Sequence, residues 1–132
     1  MTPIAALIAF AFVTMIALMI EIVFTYATQG FGFGFSSNRP TVERGALALR
    51  IQRAYQNQVE AAAYIVPLLA AAAITGLDDP GVALASLLIA GGRAWFVLFY
   101  YTGLPFVRIL GFSTGSLGSL YLAYRLLTVW SA

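Results

Sequence analysis

Four long apolar runs, separated by short turns, occupy almost all of the sequence and constrain its fold more than any other feature. The runs cover about residues 4–28, 43–77, 82–103 and 109–130. A helix needs roughly 20 residues to cross the hydrocarbon core of a bilayer, so four crossings nearly use up the 132 residues. Since 61% of the residues are hydrophobic and only 9% are charged, a soluble chain of this size would leave much apolar surface unburied. The sequence therefore predicts an all-α membrane protein, a single domain (residues 1–132) built as a four-transmembrane-helix bundle in a lipid bilayer.

Glycine and proline residues predict where these helices end. Residues 30–35 alternate glycine with phenylalanine and predict a first loop, and Thr41 is an acceptable N-cap for the second helix. Pro67 lies inside the apolar half of that helix, where it removes a backbone hydrogen bond and predicts a kink. Residues 78–81 have the sequence Asp-Asp-Pro-Gly and predict a tight turn. Arg108 follows the glycine and proline that end the third helix, and we expect it in the third loop.

The fourth apolar run carries small residues at four-residue spacing: Gly111, Gly115 and Ser119. Residues four apart lie on one face of a helix, so these three form a ridge without bulky side chains. Such a ridge predicts the close approach of another membrane helix rather than a chemical function.

The basic residues are distributed unevenly and predict the orientation of the chain in the membrane. All seven are arginines; Arg39, Arg44, Arg50 and Arg53 flank the first loop, and Arg108 belongs to the third. By the positive-inside rule, the first and third loops face the cytoplasm and both termini lie on the opposite side. Because these arginines lie in or beside apolar helices, and not on a solvent-exposed basic face, we expect no nucleic-acid partner.

The residue types that are missing limit the chemistry that the chain can perform. The sequence contains neither histidine nor cysteine, which excludes a Ser-His-Asp triad, a cysteine nucleophile and the usual zinc and haem ligand sets. No Walker-type phosphate loop is present. We expect no metal, and any reactive group must arrive with a substrate.

Two polar stripes follow the second and third helices. At 100° per residue, the members of the first stripe fall within about 80° of one another. The first stripe comprises Arg50, Arg53, Asn57, Glu60 and Tyr64, and the second comprises Arg93, Phe96, Val97 and Tyr100. Because charged groups inside a bilayer are stable only when they face a bundle interior or a wet cavity, we expect both stripes to point inward and toward each other.

The stripes have two interpretations, one structural and one functional. Glu60 could pair with Arg93 or Arg53, and Glu21 with another arginine, so that the whole set holds the helices together. However, arginines outnumber acidic residues on the cytoplasmic side, and an unneutralised guanidinium cluster binds an anion such as a carboxylate or a phosphate. A lipid headgroup and a peptide with two carboxylates both fit this chemistry.

The motifs in these stripes resemble those of a known family, the membrane-associated proteins in eicosanoid and glutathione metabolism (MAPEG). Arg53, Asn57 and Glu60 match the arginine, asparagine and glutamate of its second-helix signature. Arg93 and Tyr100 match an arginine followed at seven residues by a tyrosine in the third helix. Arg108 matches a later loop arginine, so the resemblance covers nearly the whole chain.

The resemblance implies a homotrimer that binds glutathione at the cytoplasmic side of each subunit interface, with a lipophilic second substrate entering from the membrane. It implies that glutathione is bound or framed by Arg53, Asn57, Glu60, Arg93 and Tyr100, to which we add Arg50 and, from the first loop, Arg39. Arg108 is then the catalytic residue, because a guanidinium beside sulfur lowers a thiol pKa near 8.5 toward neutrality and favours the thiolate.

The sequence departs from the family pattern at three positions that bear on activity. Phe96 stands where well-studied members have a tyrosine or histidine, and a phenyl ring donates no hydrogen bond. Ile109 and Phe112 replace the serine and tyrosine of the prostaglandin synthase pattern, which argues against that isomerase reaction. The prediction is therefore transfer of glutathione to a lipophilic electrophile, or reduction of a lipid peroxide with it. The alternative is a non-catalytic membrane module that holds a lipid headgroup or another anion among the arginines.

Overall fold

Four α-helices account for most of the chain in the structure, a computed structural model that describes residues 1–130. They are α1 (Pro3–Phe35), α2 (Ala46–Ile74), α3 (Pro80–Thr102) and α4 (Pro105–Trp130). This confirms the predicted all-α, four-helix architecture. Among the described residues, α1, α2 and α3 are long and apolar enough to cross a membrane. The fourth helix, α4, has the length of a span but is rich in glycine, serine and threonine.

The most extensive helix pair is α3 with α4, and small residues allow their close approach. A Cβ atom added to Gly92 would lie 2.7 Å from the backbone oxygen of Gly111 and from the backbone nitrogen of Gly115. Gly111, Gly115 and Ser119 are all buried, which confirms the predicted packing ridge and identifies α3 as the helix that meets it. In the described part of the chain, α1 packs on α2 and α3 and makes no contact with α4.

An apolar face of α2 forms the centre of the bundle. Ala61, Ile65, Leu69 and Ala72 are buried there against residues of the other three helices. Burial of this apolar face determines how α2 is rotated about its axis, because it places the opposite, polar face of the helix on the outside of the bundle.

The helix ends differ from the sequence prediction at the first loop. α1 does not stop at Gly30: this residue is non-helical, with a φ of 81°, but helical structure resumes and continues to Phe35. Gly30 tolerates that positive φ because it has no Cβ, and the Tyr26 ring stacks on Phe31 across the break at 5.3 Å. α2 begins at Ala46 with Gly45 as its N-cap, so the prediction of Thr41 as the cap was wrong.

Two further ends show how proline and aspartate start helices. Pro80 and Pro105 each occupy the first position of a helix, where a missing N–H is harmless. α4 therefore already includes Arg108, and the prediction that this arginine lies in a loop was wrong. α2 runs through Pro67 without a break in its helical assignment.

Asp79 both caps α3 and joins it to α4. Its Oδ1 accepts hydrogen bonds from the backbone N–H groups of Gly81 and Val82, and its Oδ2 accepts one from Arg125 at 2.7 Å. The hydrogen bond from Arg125, with help from the backbone N–H groups, lowers the pKa of Asp79 below its ordinary value of 3.8. The pair therefore ties the start of α3 to the end of α4.

Candidate functional site

Arg93 is the centre of the polar interior. The residue is only 2% exposed, and its guanidinium reaches from α3 to α2. Its Nε donates a hydrogen bond to Oε1 of Gln58 at 2.6 Å, and its Nη2 donates one to the backbone oxygen of Asn57 at 2.9 Å. Both acceptors are uncharged, so the positive charge of Arg93 is hydrogen-bonded but not neutralised.

Gln58 was missed by the sequence analysis, although it holds Arg93. It is 0% exposed, and its Nε2 also donates a weak hydrogen bond, 3.4 Å long, to Oγ1 of Thr14 in α1. Gln58 thus connects three helices through one side chain. The available signal was its spacing: Gln58 lies four residues from Ala54 and three from Ala61, on the apolar face of α2. A polar residue at such a position needs a buried hydrogen-bond partner.

An aromatic pair continues from Arg93 toward the C-terminal end of α3. The Cζ atom of Arg93 lies 4.7 Å from the ring centroid of Phe96, whose ring meets that of Tyr100 edge to face at 5.2 Å. The Cζ atom of Arg108, from the first turn of α4, lies 4.4 Å from the Tyr100 centroid. Two guanidinium groups are therefore held against two neighbouring rings, and the predicted inward orientation of the α3 stripe is confirmed.

The α2 stripe is oriented differently from the prediction. Arg53, Glu60 and Tyr64 are exposed on the outer surface of the bundle. Tyr64 alone among them interacts electrostatically with Arg93. The polar stripe lies outside because the apolar face of α2 is the one buried in the bundle interior. The polar side chains bond locally instead: Asn57 Nδ2 donates to the backbone oxygen of Arg53 at 2.9 Å, and Gln56 donates to Glu60 at 3.3 Å.

Arg50 belongs to the same helix but lies closer to the end of α3. Its Nε is buried and has no hydrogen-bond partner within residues 1–130. Its guanidinium packs beside Gly103, since a Cβ atom added there would lie 3.1 Å from Arg50 Nη1. The structure thus places Arg50 near the end of α3 that also carries Tyr100.

Arg39 lies at the end of α1, and its hydrogen bonds are to backbone atoms of the first loop and the last turn of that helix. Its Nη2 donates to the backbone oxygen of Gly34 at 2.6 Å, and its Nε donates to that of Ser36. It lines a pocket of about 170 Å³ at the end of α1 together with Glu21 and Arg44. Within a single subunit, Arg39 therefore belongs to a second, separate basic region.

Two of the seven arginines form salt bridges within the described chain. In the described chain, salt bridges join Arg44 to Glu21 at 3.9 Å and Arg125 to Asp79 at 2.7 Å. The remaining five arginines have no acidic partner there. Glu60 bonds to a glutamine, so it does not neutralise Arg53 or Arg93. The pairing of Glu21 with an arginine, one part of the structural interpretation, is therefore present. An ion-pair network that neutralises the other arginines is not present between residues 1 and 130.

One large groove in the molecule is lined only by apolar side chains and includes none of the arginines. A groove of about 560 Å³ runs along α1 and is lined by aliphatic and phenylalanine side chains alone, between Phe12 and Ala27. It offers nothing to an anion and suits lipid or another apolar surface. No group of three or more Asp, Glu, His or Cys residues that could hold a metal lies within residues 1–130.

The family model of the MAPEG family matches residues 3–128, which is nearly the entire chain. The chain belongs to the MAPEG family. No curated protein and no solved structure gives a significant match to it. Membership assigns the chain to a family of membrane proteins associated with glutathione and eicosanoid metabolism, and it confirms the resemblance that the arginine motifs suggested.

Two of the three residues that depart from the family pattern, Phe96 and Phe112, belong to the aromatic pair or lie near it. Phe96 is buried between Arg93 and Tyr100, so its ring contacts the cation even though it donates no hydrogen bond. The Phe112 ring lies 6.0 Å from that of Phe96 and is partly exposed, and Ile109 is exposed on α4. Phe96 therefore presents an apolar ring to Arg93, with the Phe112 ring next to it.

Proposed function

We propose that this MAPEG protein binds glutathione in the membrane and transfers it to a lipophilic electrophile, or reduces a lipid peroxide with it. The observation that carries the proposal is the presence of four guanidinium groups on α2, α3 and α4 without an acidic partner in the described chain, those of Arg50, Arg53, Arg93 and Arg108. Uncompensated guanidinium groups near low dielectric favour an anionic ligand. Glutathione, which carries two carboxylates and a thiol, fits this charge.

We propose that glutathione is bound by the polar residues of the family motif and two further arginines: Arg39, Arg50, Arg53, Asn57, Glu60 and Arg93. Tyr100, the remaining motif residue, frames the site. Arginine suits the two carboxylates because its planar fork of donors binds them in two-point contact. Glu60 offers a negative charge to the glutathione amine, the one cationic group of the tripeptide.

The exposed face of α2 supports assembly as a homotrimer. Arg53 and Glu60 lie outward on a membrane helix, where exposure to lipid costs several kcal/mol for each charge. A second copy of the chain that packs on this face removes the charges from lipid, and it allows Arg39 of one subunit to approach the arginines of another. We place the site on the cytoplasmic side, with the first and third loops there and both termini opposite, because the arginines concentrate at that end.

The proposed catalytic residue is Arg108, which lies in the first turn of α4. A cation at a helix N-terminus is opposed by the helix dipole, and no acidic residue lies in this turn to offset it. An anion bound there is stabilised by both the dipole and the guanidinium. The glutathione thiol loses its proton to solvent, and the resulting thiolate attacks the electrophilic carbon to form a carbon–sulfur bond. With an aryl halide, the carbon–halogen bond then breaks and the halide leaves with the bonding electron pair.

A binding measurement with the detergent-solubilised protein tests the proposal. We expect glutathione at about 100 times its Kd to raise the free energy of unfolding by roughly 2.7 kcal/mol. Conjugation of glutathione to a hydrophobic aryl halide should be lost in Arg108→Ala while the oligomer remains intact. Arg44→Ala is the matched control, because Arg44 lies outside the proposed set and is paired with Glu21; it should retain conjugation.

The alternative function, a non-catalytic module for an anionic lipid headgroup, makes the opposite forecast. Phe96 favours it, because this residue lacks the hydroxyl or imidazole through which other members contact their ligand. In that case, anionic phospholipid added to the micelles stabilises the protein, glutathione gives no shift and no conjugate forms. That result would refute the proposed enzymatic function.

A further inference from the structure

We propose that Tyr100 is a positioning residue that holds Arg108 through the face of its ring and not through its hydroxyl group. The inference rests on the proposed function, in which Arg108 stabilises the glutathione thiolate. It assigns to Tyr100 a different task from ligand binding, and it gives Phe96 a role in the same unit.

The contacts of Tyr100 point to the ring. The Arg108 Cζ atom lies 4.4 Å from the ring centroid, within the range of a strong cation–π contact. Tyr100 is only 8% exposed, whereas its hydroxyl makes no hydrogen bond to any described residue. If the hydroxyl positioned part of the protein, it would have such a partner.

Neighbouring side chains fix the Tyr100 ring in turn. The Phe96 ring meets it edge to face, with centroids 5.2 Å apart and an interplanar angle of 71°. Both rings belong to a buried cluster that includes Ala17 of α1 and Ala54 of α2. Arg93 covers Phe96 at 4.7 Å, so the pair of rings is anchored by a residue that is itself bonded to Gln58.

A ring is a suitable support for a cation that must bind an anion. A carboxylate partner would neutralise Arg108 and occupy its N–H groups, but the ring restrains the guanidinium without taking up its hydrogen bonds. The side-chain N–H groups of Arg108 donate to no residue in the described chain. They are therefore free to approach a thiolate from a restrained position.

Two substitutions separate the ring from the hydroxyl. Tyr100→Phe keeps the ring and removes the hydroxyl, while Tyr100→Leu removes both. In 15N-labelled protein without glutathione, the Nε–H resonance of Arg108, assigned by its loss in Arg108→Lys, should show a ring-current shift. We expect this shift to persist in Tyr100→Phe and to vanish in Tyr100→Leu.

The second measurement follows the thiolate of bound glutathione by its ultraviolet absorbance as pH is varied. Tyr100→Phe should keep the lowered thiol pKa of the wild type. Tyr100→Leu should reduce the thiolate-forming equilibrium constant by about two- to thirtyfold, the range of a cation–π contact. If Tyr100→Leu does not assemble, Tyr100→Met, which has similar length and no ring, takes its place.

Two results would overturn the positioning role: an unshifted Arg108 resonance in the wild type, or a glutathione affinity that falls tenfold in Tyr100→Phe, since the latter would make the hydroxyl a ligand group. Failure of the proposed function looks different. In that case the wild type binds no glutathione, but the Arg108 resonance in the three proteins still decides whether Tyr100 holds it.

Discussion

Replacing Gln58 by leucine isolates the contribution of the buried contact between α2 and α3. The substitution nearly conserves volume, so it leaves little cavity, but it removes the acceptor of the 2.6 Å hydrogen bond from Arg93 Nε. A hydrogen bond to a charged group contributes about 1.5–3 kcal/mol. The 3.4 Å bond to Thr14 is long and adds little. We therefore expect Gln58→Leu to lower the free energy of unfolding by about 2–3 kcal/mol.

The assay is unfolding of the solubilised protein by titration with a denaturing detergent, followed by circular dichroism. Gln52→Leu is the matched control, because Gln52 is a half-buried glutamine on the same helix without an assigned hydrogen bond. It should change stability by less than about 0.5 kcal/mol. If the two variants unfold at the same detergent concentration, Gln58 does not anchor Arg93 and the description of the site is wrong.

Gln58→Glu extends this experiment from stability to binding. A carboxylate at this position keeps the acceptor and also neutralises Arg93, so we expect the folded state to be at least as stable as the wild type. The same charge competes with an anionic ligand for Arg93. Glutathione affinity should fall about tenfold, or roughly 1.4 kcal/mol, by isothermal titration. Unchanged affinity would remove Arg93 from the glutathione-binding set.

Three further predictions concern the packing and the helix ends. Because the pKa of Asp79 is lowered in the folded state, its carboxylate contributes to the free energy of unfolding above pH 3.8, and this contribution is lost as pH falls through the lowered value. Measuring the free energy of unfolding in acid should show this loss in the wild type and not in Asp79→Asn. Gly92→Ala should destabilise by about 1–3 kcal/mol in the same detergent assay, because the new Cβ meets backbone atoms of α4, whereas Gly91→Ala, with nothing within 4 Å, should not. Thr14→Val should change the free energy of unfolding by less than about 1 kcal/mol, since the hydrogen bond that Thr14 accepts from Gln58 is long.

The positions of the helices were largely predictable because the signals that define a membrane span lie within the span itself. Long apolar runs, proline at a helix start and small residues at four-residue spacing act within one helix and its nearest neighbour. The errors occurred where local signals compete. At residues 30–35, glycine predicted a loop, but aromatic stacking of Tyr26 on Phe31 allows helical structure to resume beyond Gly30. At residues 103–105, proline predicted part of the end of α3, but Pro105 is the first residue of α4, a position that proline favours.

On α2, the sequence predicted which polar residues share a face, but not the direction in which that face points. Periodicity correctly grouped Arg53, Asn57 and Glu60 on one face of α2, but it could not determine which way that face turns. The direction of the polar face depends on which of the two faces of α2 releases more free energy when it is buried in the bundle. The apolar face is buried in the bundle, and the polar face lies on the outside.

The sequence by itself determined the fold class, the family and the set of arginines, because hydropathy and motif spacing are properties of the chain that do not depend on what each helix meets. Only the tertiary structure decided which partners those arginines have. It showed that Gln58 bonds Arg93 and that the Arg108 guanidinium lies over the Tyr100 ring, since these contacts join residues more than seven positions apart through helix packing. Periodicity fixes the angle of a side chain around its own axis, but the contact across two axes exists only once the helices have packed.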